Sequence, residues 1–226
     1  MTSADLLSTT IERVGDAVGD TMYYSVAETQ NALNACQRLF CLLTLCLETT
    51  GTFALATDGT SSYQMLSEFA DWLLPLRIRI VNGAKLALGT ISDLGAIDDN
   101  WRLTRGTPQR YAVTGFGLLS TYPQASSPAT LSITYARCPD PMGWGSDVPE
   151  IPAEYHINLI DGAIPMLRSK EGAQEWQKII DQWDRFIAAC RHCGERIRAR
   201  NRELGYDAMP AELERYDTSR LMKRGA

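Results

Sequence analysis

Apolar residues recur every three or four positions through the first fifty residues, in two runs separated by a polar break near Gly19 and Asp20. The first run contains Leu7, Ile11, Val14 and Val18, and the second contains Leu33, Cys36, Phe40, Leu43 and Leu47. This spacing places the apolar side chains on one face of a helix, so two helices are predicted. Gly51 can take the left-handed conformation that ends helices, and it is therefore predicted to terminate the second one.

Short β-type runs separated by turn formers replace the helical pattern from Thr52 to about Pro149. The candidate strands are Thr52 to Ala56, Leu76 to Val81, Arg110 to Thr114, Gly117 to Tyr122 and Thr130 to Ala136, and the candidate turns are Asp58-Gly59, Asn82-Gly83 and Pro123 to Pro128. These runs predict a small β-rich module. Within it, Thr90 to Asp98 predicts one or two helical turns capped by Thr90 or Ser92. Arg77, Arg79 and Thr134 alternate with apolar residues, which predicts a sheet with one packed face and one face in water.

The remainder of the chain returns to helical spacing. Ile151 to Lys170 is predicted to be helical, with Pro152 in the first turn, where its missing N–H costs nothing. Pro165 is expected to kink or break this helix, because proline removes a backbone hydrogen bond. The last helix is predicted from about Gly172 to Leu204, with Gly205 as its stop signal. Its apolar stripe contains Trp176, Ile179, Ile180, Trp183, Phe186, Ile187, Cys190 and Ile197.

This last helix is long for a chain of 226 residues. It would measure roughly 50 Å from the rise per residue of an α-helix, whereas a compact chain of this length has a radius of gyration of about 17 Å. One end is therefore expected to protrude. The apolar stripe thins after Cys193, where arginines become frequent. The protruding end is thus expected to be the basic one and to bind a neighbouring molecule.

Together these elements predict an α+β protein, with a helical bundle, a long C-terminal helix and an inserted small β-rich module of sandwich or barrel type. The expected divisions are N-terminal bundle helices at 1–51, the β-rich module at 52–149, C-terminal bundle helices at 150–205 and an extended tail at 206–226. With 45% hydrophobic and 22% charged residues, the chain has the composition of a globular protein rather than a disordered or fibrous one.

The six cysteines are predicted to be reduced, buried thiols. Cys36, Cys41 and Cys46 lie five residues apart in a helical run, where this spacing scatters them around the helix instead of pairing them. The longest apolar stretch, Leu39 to Leu47, is too short for a membrane span of about 20 residues, and no signal-peptide pattern is present. The sequence therefore predicts a soluble protein that is synthesised in a cytoplasm and does not enter a membrane.

The formal net charge of −5 predicts no overall attraction to nucleic acid, because DNA binding depends on neutralising phosphates. Positive charge is concentrated at the C-terminal end, where the candidate contact residues are Arg196, Arg198, Arg200, Arg202, Tyr206, Arg215, Tyr216, Arg220, Lys223 and Arg224. Three interpretations of the arginine run stay open, namely a solvated helix face, contact with an acidic partner, and direct contact with DNA. The third would make the chain a regulatory nucleic-acid-binding protein.

Cys190 and Cys193 form a C-x-x-C motif around His192, a pattern found in zinc and redox sites. Zinc needs four ligands, and the only other histidine, His156, lies on a different predicted helix. A redox C-x-x-C lies at the start of a helix, whereas this one lies in the middle. Buried thiols on the apolar stripe are therefore favoured over a small thiol or metal enzyme.

No other pattern in the sequence predicts catalysis, a cofactor or a metal. The sequence contains no G-x-S-x-G, P-loop or G-x-G-x-x-G motif. Gly115 and Gly117 lie between two predicted strands and are typical of a turn or bulge. Two groups of residues, Asp98-Asp99-Asn100 and Asp140 with Asp147, lack the ligand order of an EF-hand, which favours turns and caps over calcium binding. The chain is therefore predicted not to be an enzyme.

Six motifs follow one another between about residues 74 and 168. They are a short acidic helix, a tryptophan, Gly-x-Pro-x-x-Tyr, a strand ending in Tyr-Pro, a Leu-x-Ile-x-Tyr strand followed by proline, and Ile-Pro-x-x-Tyr-His opening a helix. They lie in the segments LRIRIVNGAKL, TISDLGAIDDNWRLTRGTPQRYAV, GLLSTYPQASSPATLSITYARCPDPM and DVPEIPAEYHINLI. In this order they resemble the head-to-tail adaptor (connector) proteins of tailed bacteriophages, especially the tail tubular protein A type of short-tailed phages.

The resemblance implies a helical bundle bearing a β module, assembled as a ring, expected to be a dodecamer, at the head-tail junction of the virion. It implies a structural role in tail assembly and DNA ejection, with no chemistry and no cofactor. The expected partners are other copies of the chain, the portal protein, the tail tube or nozzle protein, and passing genomic DNA, without sequence-specific binding. The implied framework residues are Trp101, Pro108, Tyr111, Tyr122, Pro123, Tyr135, Pro139, Pro152 and Tyr155.

Overall fold

A computed structural model of the chain describes residues 1–15, 23–115, 117–169 and 176–213. These residues fall into two compact units. The helical unit consists of the described residues of Met1–Cys46, Pro139–Ile197 and Pro210–Ala226. The β-rich unit consists of the described residues of Leu47–Cys138 and Arg198–Met209.

The elements follow in the order α1 (Ser3–Val14), α2 (Val26–Thr44), β1 (Glu48–Leu55), β2 (Ser62–Gln64), α3 (Met65–Glu68), β3 (Trp72–Ile80), β4 (Ala87–Gly89), α4 (Ile91–Ile97), β5 (Arg105–Gly106), β6 (Arg110–Thr114), β7 (Leu118–Tyr122), β8 (Gln124–Ala125), β9 (Ala129–Arg137), α5 (His156–Arg168) and α6 (Trp176–Glu203). A 3₁₀ turn at Ala153–Tyr155 precedes α5. This arrangement confirms the predicted α+β class with a long C-terminal helix. Within the described residues, no helix has both the length and the apolar character that a membrane crossing requires.

Local capping explains where the first two helices begin. The side chains of Thr2 and Ser25 accept hydrogen bonds from the backbone N–H groups of Asp5 and Glu28, respectively. In return, each of these carboxylates accepts a hydrogen bond from the N–H of its capping residue. A cap of this kind typically stabilises a helix by about 1 kcal/mol.

The end of α2 differs from the prediction. α2 ends at Thr44, and Leu45 takes the left-handed conformation that caps it, with a φ of 52°. The prediction that Gly51 ends this helix is wrong, because Gly51 lies within β1. A side chain at this position would collide with the ring of Phe69, so glycine serves close packing there. The predicted break between the first two helices lies at 16–22, outside the described residues.

The helical unit buries one apolar core. Fully buried members come from α1 (Leu6), α2 (Leu33, Cys36 and Phe40), α5 (Leu159, Ile160, Ala163 and Ile164) and α6 (Phe186 and Cys190). Helices α1, α2 and α5 pack against one another. α6 joins them through Phe186, whose ring centroid lies 6.3 Å from that of Phe40. Burial of such large side chains stabilises the bundle by roughly 1.5–3 kcal/mol each.

Helix α5 tolerates its proline. It continues through Pro165 to Arg168, so the predicted break is absent. Pro165 removes one backbone hydrogen bond close to the helix end, and the neighbouring side chains of Ile164 and Leu167 are buried. Their packing holds the last turn in place.

Gly162 lies at a close approach of α5 to side chains of α2 and α6. A Cβ atom there would lie 2.9 Å from Cys36 Sγ and 2.9 Å from the ring of Phe186. Because both partners are fully buried, we expect Gly162→Ala to lower the free energy of unfolding by about 1–3 kcal/mol in denaturant melts. The control is Gly194→Ala in α6, where a Cβ would meet only Pro210 at an ordinary 3.6 Å. Equal stability of the two variants would contradict this packing argument.

The β-rich unit contains three sheets. The first has the antiparallel order β1-β9-β3, the second has the order β2-β7-β6-β4 with β4 parallel to β6, and β5 pairs with β8. One core, formed by side chains of both larger sheets, includes Leu55, Tyr63, Trp72, Ile78, Tyr111, Leu119, Leu131 and Ile133. A smaller cluster of Leu94, Trp101 and Ala112 packs α4 against β6.

Several local predictions in this unit are confirmed. Ile78 and Ile133 are buried and Arg79 is exposed, as the alternation in the first sheet predicts. The prediction that Thr134 meets water is wrong, because Thr134 is buried and its Oγ1 lies 3.1 Å from Oγ1 of Thr50 on the neighbouring strand β1. Thr90 caps α4 by accepting a hydrogen bond from the N–H of Asp93. β6 has the predicted bounds.

Positive φ angles mark the predicted turns. Gly59 and Asn82 have φ angles of 103° and 57°, which places a left-handed residue in each of two predicted turns. Gly115 has a φ of 63° and lies in the connection between β6 and β7, where a turn is predicted. Phe116, beside it, lies outside the described residues.

Candidate interaction surface at the C-terminal helix

The predicted contact residues lie on the second half of α6 and on the segment that follows it. The described residues include Arg196, Arg198, Arg200, Arg202 and Tyr206. The others lie outside the described residues, and their role stays a prediction: Arg215, Tyr216, Arg220, Lys223 and Arg224.

Arg196 belongs to the helical unit, where it forms an ion pair with Glu154. Its Nη1 also lies 3.5 Å from Tyr155 Oη, which in turn lies 2.8 Å from His192 Nδ1. The hydrogen bond from Arg196 holds the pKa of Glu154 below its usual range. The side chains of Arg196 and Glu154 are 61% and 53% exposed, so this ion pair stabilises the fold little and can exchange for contacts with a partner.

The last turn of α6 belongs to the β-rich unit. Arg200 Nη2 lies 3.0 Å from Oε2 of Glu48, the first residue of β1. Asn201 is fully buried and donates a hydrogen bond to the carbonyl of Ala208. The expectation that the basic end extends free of the fold is therefore wrong for the described residues. Arg202, in contrast, is exposed.

The segment after α6 is fixed to the β-rich unit. Tyr206 is buried, and the guanidinium carbon of Arg77 lies 5.2 Å from its ring centroid. Asp207 accepts hydrogen bonds from Lys85 Nζ at 2.7 Å and from Tyr111 Oη at 2.9 Å. The N–H of Asp207 donates to a backbone carbonyl of β3. We call the following residues the C-terminal anchor: Glu48, Arg77, Lys85, Tyr111, Arg200, Tyr206 and Asp207.

The sequence analysis missed three residues of this anchor: Glu48, Lys85 and Asp207. Burial and the neighbouring Asp207 carboxylate raise the pKa of Tyr111, so its phenol stays protonated and donates. Lys85 and Tyr111 lie 122 and 96 residues from Asp207 along the chain. No local pattern could have joined them. The arrangement holds a polypeptide segment in place and contains no activated nucleophile.

The C-x-x-C motif lies within α6, and both of its thiols are buried, as predicted. Burial raises the pKa of Cys190 to about 12, and a hydrogen bond with Cys46 together with burial raises the pKa of Cys193. Both thiols are therefore protonated near neutral pH and are weak nucleophiles. All six cysteines are free, as predicted, and four are buried, whereas Cys46 and Cys138 are half-buried. Within the described ranges, no cluster of three or more His, Cys, Asp or Glu side chains could hold a metal ion.

An exposed tryptophan lies on a firmly held loop of the helical unit. Trp144 is 62% exposed. Asp147 holds this loop, because its carboxylate accepts from the N–H of Gly143 and its carbonyl accepts from the N–H of Ser3. Beside Trp144, α1 forms a mainly apolar groove of about 410 Å³. A large apolar side chain displayed in this way is typical of a surface that contacts another molecule.

Comparison with known proteins identifies the family. Residues 1–191 match the family model of the SU10 adaptor protein. The chain belongs to this family. A comparison with curated proteins gave no match. The matched region ends within α6, before the predicted contact arginines of that helix.

Membership of the SU10 adaptor family indicates that the chain is a phage structural adaptor protein. Such a protein is a component of the virion and interacts with other virion components. The family also implies that this adaptor is not an enzyme.

All nine framework residues that the resemblance implies are buried or half-buried in this SU10 adaptor: Trp101, Pro108, Tyr111, Tyr122, Pro123, Tyr135, Pro139, Pro152 and Tyr155.

Proposed function

We propose that this SU10 adaptor is a subunit of the head-to-tail adaptor ring that joins the portal to the tail of a tailed phage, in the manner of tail tubular protein A. The observation that carries the proposal is the family match over residues 1–191. The motif order between about residues 74 and 168 and the exposed Trp144 support it. The ring is proposed to be a dodecamer at the head-tail junction, in contact with the tail tube or nozzle protein.

The residues beyond the C-terminal anchor are proposed to contact the portal or an adjacent subunit. The anchor fixes the chain at Asp207 through Lys85 and Tyr111, so the following residues start from a defined point. Residues 214–226 carry four basic side chains and two acidic ones, which suits an acidic partner surface.

The ring is also proposed to line the channel through which DNA leaves the head. The net charge of −5 supports weak binding of the passing phosphates. Arg196 and Arg200 already form ion pairs with carboxylates of their own units, which leaves fewer free cations. Strong DNA binding by the purified protein, with a steep salt dependence, would instead favour the regulatory nucleic-acid-binding alternative.

Electron microscopy of intact particles tests this function directly. Density for the chain is expected as a closed ring between the portal and the tail. Absence of the chain from purified particles would overturn the proposal, and a position elsewhere in the particle would overturn its assignment to the junction.

Deletion of residues 214–226 tests the proposed contact of the tail. We expect incorporation onto portal-containing heads to fall about tenfold, which corresponds to roughly 1.4 kcal/mol of lost binding. The measurement is the amount of protein that co-sediments with heads. Deletion of residues 225–226 is the control, because it removes no charged side chain. Equal incorporation of the two shortened chains would show that the tail does not dock.

A further inference from the structure

Among the described residues, one edge of the three-stranded sheet is open. β1 is an outer strand, because the strand order is β1-β9-β3. On the opposite side, backbone hydrogen bonds join β3 to residues 84–86 and to Asp207. In the part of the chain that the structure describes, no backbone hydrogen bond reaches the outer side of β1. The open edge is eight residues long.

The register shows which groups face outward. Arg137 N–H donates to Leu47 O directly beside β1, so the odd-numbered residues of β1 exchange hydrogen bonds with β9. Val81 N–H donates to Thr130 O, so the even-numbered residues of β9 face β3, in agreement with this assignment. In an antiparallel pair, the alternate residues turn their N–H and C=O groups away from the partner strand. The outward groups of β1 therefore belong to Glu48, Thr50, Thr52 and Ala54, and all four residues are exposed.

This edge lacks the features that keep natural sheet edges from pairing with other chains, such as lysine, proline and bulges. β1 has the sequence ETTGTFAL, and its register with β9 is unbroken, whereas β3 has two register shifts. Its one charged side chain, Glu48, lies at the end of the strand and pairs with Arg200. Thr50 and Thr52 are β-branched and favour an extended backbone. The edge is thus suited to accept another strand.

We propose that β1 is the docking site for an extended segment of another virion protein, which adds a strand to the sheet. An extended backbone presents donors and acceptors at the spacing of the outward groups of β1, which is the basis of strand addition. The edge is about 27 Å long over its eight residues. The inference rests on the proposed function, because the partner is taken to be a component of the same virion.

A different protein, rather than a second copy of this chain, is the expected occupant. Within the described residues, the second sheet ends in β2 and β4, which have only three residues each, and the edge of β3 is occupied. Among the described strands of a second copy, only its own β1 is therefore long enough and free to pair with this β1. Such pairing relates two copies by a two-fold axis and closes a dimer, which cannot extend into a ring. Pairing between the described strands of neighbouring copies would thus leave every β1 edge of a ring available to an extended segment.

Thr52→Pro tests the proposal, because the N–H of Thr52 faces outward. Proline at position 52 has no N–H to donate outward, and its ring would collide with an incoming strand. The hydrogen bonds between β1 and β9 stay in place, because they involve the odd-numbered residues of β1. We expect the amount of the protein recovered in complete tailed particles to fall about tenfold or more, which corresponds to at least roughly 1.4 kcal/mol of lost binding. The control is Thr52→Val, which keeps the N–H and the branched side chain and is expected to incorporate like the wild type.

Two results would overturn the docking proposal, and a third would overturn the proposed function on which it rests. A folded Thr52→Pro protein that incorporates like the wild type would show that the edge is not used. A Thr52→Pro protein that loses self-association in gel filtration would show that the occupant is a second copy. Wild-type protein absent from particles would overturn the proposed function itself, which is a separate outcome.

Amide hydrogen exchange of the wild type gives a second measurement that does not depend on the folding of a variant. In the free protein, the amides of Thr50, Thr52 and Ala54 are expected to exchange rapidly, and those of Gly51 and Phe53 slowly. In assembled particles, the first three are expected to become protected. Rapid exchange of these three amides in particles that contain the protein would overturn the proposal.

Discussion

Phe186→Ala is expected to lower the free energy of unfolding of the helical unit by about 3–5 kcal/mol. Phe186 is fully buried, and its ring centroid lies 5.4 Å from that of Trp183 and 6.3 Å from that of Phe40. Gly162 faces the same ring and has no side chain with which to fill the space. The cavity would therefore remain, and the contacts of α6 with α2 and α5 would weaken. Denaturant melts followed by far-ultraviolet circular dichroism measure the loss.

The control for this prediction is Leu42→Ala. Leu42 lies on α2 in the same unit but is half exposed, so its truncation is expected to change stability by no more than about 0.5 kcal/mol. If Phe186→Ala and Leu42→Ala cost the same, Phe186 would not be the contact that joins α6 to the bundle.

Elements that depend on local signals could be predicted from the sequence. The short helix α4 begins where Thr90 can cap it, and the alternation around Ile78 and Arg79 indicates which face of β3 is buried. The stripe on α6 includes Phe186 and Cys190, which are fully buried. In each case the deciding interaction lies within one helical turn or one strand, so the residue pattern carries it.

Long-range packing determines the backbone conformation at positions where the local sequence signal predicts a different one. Gly51 has the properties of a helix terminator, yet it lies in a strand because the ring of Phe69 covers it. Leu45 ends α2 in a left-handed conformation that leucine rarely takes. Pro165 has the properties of a helix breaker, yet the buried side chains around it hold the last turn of α5. A single sequence does not show which residues will meet across the fold.

The candidate site shows the same division. The sequence indicates that positive charge gathers at Arg196 and Arg200, but not that Glu48, 152 residues away, pairs with Arg200. It predicts part of β1, but the position of β1 at the edge of a sheet depends on its pairing with β9. Charge and strand propensity are properties of a segment, whereas burial, pairing and an open edge are properties of the assembled fold.

Asp207→Ala is expected to lower the free energy of unfolding of the β-rich unit by about 2–3 kcal/mol. The change removes the acceptor of the Tyr111 phenol, which is fully buried, and the partner of Lys85. A buried donor left without an acceptor loses its hydration without compensation, and this accounts for much of the expected loss. Denaturant melts measure the stability. Faster hydrogen exchange at the amide of residue 207 would report release of the segment from β3.

Two further variants test whether the loss of stability comes from the contacts of the C-terminal anchor or only from the loss of a negative charge. Asp207→Asn keeps one acceptor for Tyr111 but loses the ion pair with Lys85, so its stability should lie between those of the wild type and Asp207→Ala. Asp99→Ala removes an exposed carboxylate of the same unit and should change stability by no more than about 0.5 kcal/mol. Asp207→Ala and Asp99→Ala of equal stability would mean that the C-terminal anchor does not hold the chain. Residues 214–226 would then have no fixed starting point, and their proposed contact with the portal or an adjacent subunit would lose its structural support.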